Sequence, residues 1–431
     1  MIRFKLYFKY FSLIFKNSFY NFTQFKFKDF KTLKNLIYTE DNDLIQKYEL
    51  EFGKLIGKGT YISFGSGRMA LYSILKVLEL KNGDEVIVQA LNCSVVINAI
   101  KRAECIPVYV DINEYDLGLN FDILKSKIST KTKVIIVQHS FGIPSDLIDI
   151  INFAKLKNIF IIEDCALTLG SKINDVNVGN FGDAAIFSTD QSKPINTLIG
   201  GGVYTSNKIL IELIKNYQNN IYSFDTTIKK KLYKAIIFQN NFYNIKSYKY
   251  VYIVLLFKSF ISKFIKSDQT IFTLNNDSSN SNINNYYPYP AKFPSLLAKV
   301  GILQILNFNK ISKSRIDLFK NYINLFCKYG LQDLLPKSYF DPKIEIIPLR
   351  FIFFDREHKF EPLFSNIIDN NLILFKSPIV ACNNPEKLNY YEGLCPNAEK
   401  ICKMIYNLPL GPFTNNDKIL QEVEKILKQA K

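Results

Sequence analysis

With 431 residues, 48% of them hydrophobic, the chain is long enough to bury a large core, and its length favours two domains over one or three. Seven cysteines without a repeated Cys-x-x-Cys spacing, and only two histidines, give no support to a disulfide framework, structural zinc or a histidine-rich metal site. The net charge of +16 is spread along a sequence rich in Lys, Ile, Asn, Phe and Tyr, so it reads as a solvated basic surface and not as a nucleic-acid footprint.

Residues 1–36 interleave Lys and Arg with Phe, Tyr, Leu and Ile, and charges interrupt every apolar stretch. No signal-peptide core or cleavage site follows, which leads to the expectation of a cytoplasmic protein. A similar run covers 248–265, where the longest uncharged piece is Tyr250 to Phe257. That is far short of the ~20 residues a spanning helix needs. Both segments suit peripheral contact with a membrane surface, or packing against the protein or a partner subunit.

From Glu51 onward the sequence alternates short β-branched runs with helical spacing, the pattern of a mostly parallel sheet covered by helices. Val86 to Val88, Pro107 to Val110, Val134 to Val137 and Phe160 to Ile162 read as strands. Met69 to Leu78, Val95 to Arg102 and Leu147 to Leu156 read as helices. Ala184 to Phe187 and Val203 to Thr205 form a later strand pair around a glycine-bearing loop. Asn275 to Asn285, a run of Asn, Ser and Asp, reads as a flexible loop. Beyond it lie a helical segment around Leu296 to Phe326, a strand-like piece at Ile344 to Phe354 and a terminal helix from Asn416 to Lys428. The expected organisation is an N-terminal arm at 1–50, a large domain at 51–223, an insertion at 224–285 and a smaller α+β domain at 286–431.

Three places carry candidate chemistry. Ile161-Ile-Glu-Asp ends an apolar strand in carboxylates, and in an open α/β sheet ligands sit at the carboxyl ends of the strands, which marks Asp164. Lys193 follows a strand shortly before Gly200-Gly-Gly. A pyridoxal cofactor needs an amine to form a Schiff base at one end of its ring and an acid at the opposite end, so Lys193 and Asp164 suit it together. Tyr61-Ile-Ser-Phe-Gly-Ser-Gly-Arg leads into a helix whose free N–H groups favour an anion, and Ser188 could add a hydroxyl.

The order of these segments resembles the DegT/DnrJ/EryC1/StrS aminotransferases. It runs from Gly-Ser-Gly at a helix start, past Cys93 and Gln138-His-Ser-Phe-Gly-Ile-Pro, to Glu163-Asp164 and Ser188-x-x-x-x-Lys193. Further matches are Gly83-Asp-Glu-Val-Ile-Val, Val178-Gly-Asn-Phe-Gly-Asp, Gly301-Ile-Leu-Gln-Ile-Leu, Arg315, Cys395-Pro-Asn-Ala-Glu and Leu408-Pro-Leu-Gly-Pro. The resemblance implies the fold-type I architecture of aspartate aminotransferase. It implies pyridoxal 5'-phosphate as cofactor, with Lys193 as its Schiff-base lysine, Asp164 at its ring nitrogen, and Gly67, Arg68 and Ser188 around its phosphate. Cys93 falls where many members stack an aromatic ring on the cofactor. His139 is either a ligand of the cofactor or a structural hydrogen-bonding group.

The resemblance also implies a homodimer, an amino donor such as glutamate, and a keto-sugar acceptor, usually nucleotide-linked, for amino-sugar or surface-polysaccharide synthesis. Three departures touch cofactor and substrate contacts, the first of them at a position whose Gln in many members bonds the cofactor's phenolic oxygen. Leu167 stands where many members have Gln, Ile199 replaces an acidic residue, and Pro288 to Phe293 lacks the Asn and Arg by which a neighbouring subunit often completes the site. Alternatives are a regulator or membrane-associated scaffold that has lost catalysis, and the sister dehydratases, which have His in place of the lysine.

Overall fold

The computed structural model describes residues 27–242, 288–360, 388–410 and 416–430, together with 363 and 375–376. The arm before residue 27, the 248–265 segment and the 275–285 loop lie outside the described residues.

Helices α1 (Phe30–Asn35) and α2 (Asn42–Ile56) open this part of the chain. The Asp41 side chain accepts the Leu44 N–H at 2.9 Å and so satisfies one unpaired donor of the first α2 turn. Tyr48, Phe52 and Ile56 recur at helical spacing and are the buried face of α2. Tyr48 stacks on Phe293 at 4.9 Å and Phe52 on Tyr61 at 4.2 Å.

The central sheet has seven strands in the order β1-β9-β8-β5-β4-β2-β3. They are β1 (Thr60–Phe64), β2 (Glu85–Gln89), β3 (Ile106–Val110), β4 (Thr132–Gln138), β5 (Phe160–Asp164), β8 (Ala184–Ser188) and β9 (Gly201–Thr205). All neighbouring pairs from β3 to β8 are parallel, and only β9 runs against the rest, pairing antiparallel with both β8 and β1. Side chains alternate between two buried faces. Val86, Val88, Val134, Ile136 and Ile162 enter one core, and Ile87, Ile135, Val137 and Ile161 enter another. Burial on both sides is why these strands read as continuous apolar runs.

Helices α3 (Gly67–Val77), α4 (Ser94–Arg102), α5 (Phe121–Lys127) and α6 (Ile148–Leu156) connect the parallel strands. Two short strands, β6 (Lys172–Ile173) and β7 (Val176–Asn177), form a hairpin after β5. Helices α7 (Lys208–Asn219) and α8 (Thr226–Phe242) follow β9, so helical structure continues through residue 242.

The expected helical segment near 296–326 is two helices, α9 (Ser295–Leu306) and α10 (Phe308–Lys328), broken at Asn307. Gly301 of α9 sits so close to α2 that a Cβ there would fall 2.4 Å from a Tyr48 ring carbon. The strand-like piece at 344–354 resolves into β10 (Ile344–Glu345), paired with β6, and β11 (Phe351–Phe354). A second sheet, β11-β13-β12, combines β11 with β12 (Phe375–Lys376) and β13 (Ile405–Leu408). Leu318, Tyr322 and Phe326 of α10 meet Phe351 and Phe353 over this sheet. Ile419, Val423 and Ile426 of the terminal helix α12 (Asn416–Ala430) complete that core. Helix α11 (Pro396–Met404) precedes β13. No described helix is long and apolar enough to cross a membrane.

Candidate functional site

Strand register brings the candidate residues to one edge of the large sheet. Gln138 pairs with Asp164 across β4 and β5, Ser188 pairs with Gly201 across β8 and β9, and Phe64 pairs with Gly201 across β1 and β9. Asp164, Ser188 and the Gly65–Gly67 turn therefore share the carboxyl edge of the parallel strands, and the β8–β9 loop with Lys193 rises from it.

Asp164 is 4% exposed and Lys193 8% exposed. Burial raises the Asp164 carboxyl above its usual range, and the Ala166 N–H at 3.0 Å, Lys193 and His139 oppose that rise. The two groups feel each other electrostatically inside the protein. Lys193 Nζ also stands 3.9 Å from the Asp190 carboxylate. Burial would raise Asp190, but Lys193, the bonds from Ser192 and the Arg68 charge outweigh it and hold this carboxyl below its usual value. Arg350 also senses Asp190. Desolvation lowers the guanidinium and the Asp190 charge counteracts it. Arg350 Nη1 donates to Asn407 Oδ1 at 3.2 Å, which anchors it to the smaller sheet.

Gly67 opens α3, and Ser66 caps the helix by accepting the Met69 N–H at 3.3 Å. A Cβ on Gly67 would lie 3.1 Å from the Phe187 carbonyl oxygen and 3.3 Å from Ser188 Cβ, and one on Gly201 only 2.3 Å from the Gly67 nitrogen. The Gly67, Phe187 and Gly201 backbones and the Ser188 side chain thus converge where the first helical turn has N–H groups without intrahelical acceptors. Arg68 is buried beside this corner, and its carbonyl accepts the Tyr289 hydroxyl at 3.1 Å.

His139 lies behind Asp164. Its Nδ1 accepts the Ser145 N–H at 2.9 Å, which assigns the ring proton to Nε2, 3.1 Å from Glu163 Oε2. Glu163 also accepts the N–H groups of Gly179, Phe181 and Gly182 at 2.7, 2.7 and 2.8 Å. His139, Glu163 and Cys165 lie within 4.8 Å of one another. Both imidazole nitrogens and both carboxylate oxygens are engaged, so this cluster is a hydrogen-bonded support. The His139 N–H donates to the Asp164 carbonyl at 3.0 Å and steadies the strand end. Of the two roles open to His139 in the sequence, the geometry selects the structural one.

The structure therefore gathers Asp164, Lys193, Gly67, Arg68 and Ser188. Cys93 is the exposed N-cap of α4, without a side-chain capping bond, in the loop that follows the carboxyl end of β2. Sequence reasoning did not find Asp190, Arg350 or Gly201. Asp190 could have been found from its place one turn before Lys193. Arg350 had no local signal, because only the fold carries it to the loop.

This arrangement, a seven-stranded sheet with one reversed strand and a buried lysine and aspartate at its carboxyl edge, is that of a fold-type I transferase. Residues 27–245, more than half of the chain, match the model of the DegT/DnrJ/EryC1/StrS aminotransferase family, and the protein belongs to that family. The matched span runs through α8. GDP-perosamine synthase of Escherichia coli O157:H7 is 38% identical over 168 residues, 39% of this chain and 46% of that protein. UDP-N-acetyl-3-dehydro-alpha-D-glucosamine 3-aminotransferase of Acidithiobacillus ferrooxidans is 32% identical over 173 residues, 40% of this chain and 47% of that one. The matched stretch of this chain spans about half the length of these curated relatives. Among solved structures, Helicobacter pylori PseC, an aminotransferase involved in the biosynthesis of pseudaminic acid, superposes with a TM-score of 0.71 at 14% identity. That match covers 96% of this chain and 100% of the other, and it speaks for the fold.

Proposed function

We propose that the protein is a pyridoxal 5'-phosphate-dependent aminotransferase that moves an amino group from an amino acid, glutamate in the first instance, to a nucleotide-linked keto-sugar. The observation that carries the reading is the burial of Lys193 and Asp164 at one sheet edge beside a corner from which Gly67 and Gly201 exclude side chains. The residues fit the cofactor. The Gly67–Arg68 turn and Ser188 would take its phosphate, Asp164 its ring nitrogen and Lys193 its aldehyde. The sugar acceptor is supported by the named activities of the two relatives.

When bound, the cofactor supplies an aldehyde that condenses with amines and a ring that accepts the electrons released when a neighbouring carbon loses its proton. The Asp164 carboxylate would hold the proton on the ring nitrogen. Lys193 would hold the aldehyde end of the cofactor and, with its amine free, would be the base that takes the proton from the donor Cα. In the second half of the reaction the same amine returns a proton to the sugar carbon that gains nitrogen. Asp190 keeps the amine from swinging away. Arg68 and Arg350 add positive charge to the wall, which favours anionic donors and phosphate-bearing acceptors. Leu167 removes a side-chain contact to the cofactor's phenolic oxygen that the family's Gln would make, while the roles of Lys193, Asp164 and the phosphate corner do not depend on it; Ile199 bears on substrate contacts.

The reading includes a homodimer acting in the cytoplasm, with segments 1–36 and 248–265 as candidates for peripheral membrane contact. Flotation with anionic vesicles tests the latter, and an absence of lipid binding, equally with and without the 248–265 segment, would remove it. The central test is reduction. Protein incubated with the cofactor should show a visible absorbance band, and borohydride should abolish it while leaving a mass tag on Lys193. A tag on any other lysine, or no band, overturns the assignment. Glutamate-dependent amination of a nucleotide-linked keto-hexose, followed by mass spectrometry, tests the acceptor.

A further inference from the structure

The loop that bears Lys193 is held in a conformation it would not adopt alone. Leu198 has a φ of 70°, in the left-handed region that costs a non-glycine residue free energy. A cycle of amides fixes it. The Leu198 N–H donates to Asn196 Oδ1 at 2.9 Å, and Asn196 Nδ2 donates to Gln239 Oε1 at 3.1 Å. Gln239 Nε2 donates to Gln191 Oε1 at 3.1 Å, and the Gln191 N–H closes the cycle on the Leu198 carbonyl at 3.2 Å. Asn196 and Gln239 each face an oxygen to a donor and a nitrogen to an acceptor, which sets the direction of the cycle through them. Lys193 lies inside the span it encloses.

Gln239 belongs to α8, a different part of the chain, and is 3% exposed. Helix α8 is itself pinned. The buried Lys229 pairs with Glu40, whose other oxygen accepts the Ser295 N–H at 3.0 Å, and Asn240 Oδ1 accepts the Phe27 N–H at 2.6 Å. Leu232 and Ile236 bury the face between these anchors. The helix is thus a splint between the N-terminal segment and the reactive loop.

We propose that Gln239 is a positioning residue for Lys193: it orders the 191–198 loop so that the amine is presented to the cofactor. The inference rests on the proposed role of Lys193, but the state of the loop can be measured without it. In Gln239→Leu both side-chain bonds to the loop are lost. In Gln239→Glu the bond from Asn196 survives, while a buried charged oxygen takes the place of the Nε2 donor to Gln191, a desolvation cost that loosens the loop even where the Gln191 amide turns over to donate. Adding Gln191→Lys restores a donor at that point, so the double variant rebuilds the cycle.

Hydrogen exchange on the full-length protein without cofactor reads the loop directly. Peptides covering 189–199 should exchange about tenfold faster in Gln239→Leu and Gln239→Glu and return to within about threefold of the parent in Gln239→Glu with Gln191→Lys. Strands β4 and β5 should not change. Absorbance titration should show cofactor affinity about fivefold weaker in Gln239→Glu and recovered in the double variant, with the borohydride tag still on Lys193. Unchanged exchange in the loop, acceleration shared equally by β4 and β5, or no recovery in the double variant overturns the proposal. If Gln239→Leu fails to fold, the Glu and Glu/Lys pair decides. If the parent protein takes up no cofactor, the functional reading falls, and the exchange data still decide whether Gln239 holds the loop.

Discussion

A buried amine and a buried carboxylate are costly to hold in one place unless a ligand or each other's charge offsets the desolvation. Lys193 and Asp164 are so held, and their roles make opposite demands. Replacing Lys193 with Ala should abolish the borohydride tag and lower turnover by about 10²–10⁴-fold, the range for loss of a positioned base. Asp164→Asn should keep the tag while losing about 10²-fold or more in turnover, because an amide supplies no negative charge to the ring nitrogen. Quantitative labelling beside steady-state assays separates the two. A tag retained in Lys193→Ala would refute the assignment.

Gly201 gives a third test at this scale. Its missing Cβ is replaced in space by the Gly67 backbone nitrogen, 2.3 Å from where the carbon would be. Neither backbone can yield cheaply, so Gly201→Ala should lose about 3 kcal/mol in urea titration and most of its affinity for the cofactor. Wild-type stability in that variant would mean that the close approach of β9 to α3 is not what shapes the corner. Lys193 and Asp164 were legible in the sequence because each sits beside a strand end. Gly201 was hidden in a run of three glycines, where only register tells which one meets α3.

Among the elements, β2, β3, β4, β5, β8 and β9 were legible because burial on both faces leaves few polar interruptions. Strand β1 was not, since Tyr61-Ile-Ser-Phe alternates weakly and its glycines drew attention to the turn that follows. Helix α2 was not read either, because its aromatic stripe is covered by α9, which lies far along the chain. Helix α11 shows the same non-local dependence in its energetics. Its N-cap, Cys395, offers no capping bond, and Asp111 at the end of β3 does that work across the fold. Its oxygens accept the Asn397 N–H at 2.9 Å and the Ala398 N–H at 2.8 Å. Asp111→Ala should cost about 2 kcal/mol, more than an ordinary cap because the acceptor is charged and buried. Urea titration measures the loss, and limited proteolysis should locate it at 390–408. A cost near zero would mean that the α11 terminus finds other acceptors once released.

For the whole molecule, the second sheet and its helices pack on the first through a shared apolar core that includes Ile352, Phe354 and Ile401, and the polar contacts between them were not legible, because they join single charged residues far apart in the chain. Glu114 accepts from Arg356 and Lys400, both at 3.2 Å, and the Tyr115 hydroxyl donates to Asp341. Burial would raise Glu114, but these two cations outweigh it and lower its carboxyl, while the Tyr115 bond lowers Asp341. A carboxyl with a depressed folded value contributes stability that is present above its unfolded value, near 4, and lost as pH falls through the lower folded value. The contacts between the two parts should therefore weaken as pH falls below about 4, and weaken further with added salt because the groups are partly exposed. Hydrogen exchange in acid should show amides of 337–354 and 396–408 losing protection before those of β4 and β5. Glu114→Gln combined with Asp341→Asn should bring that loosening to neutral pH and remove its pH dependence. Simultaneous loss in both parts, or an unchanged profile in the double variant, would show that the apolar contacts across the junction, and not these carboxylates, hold the parts together.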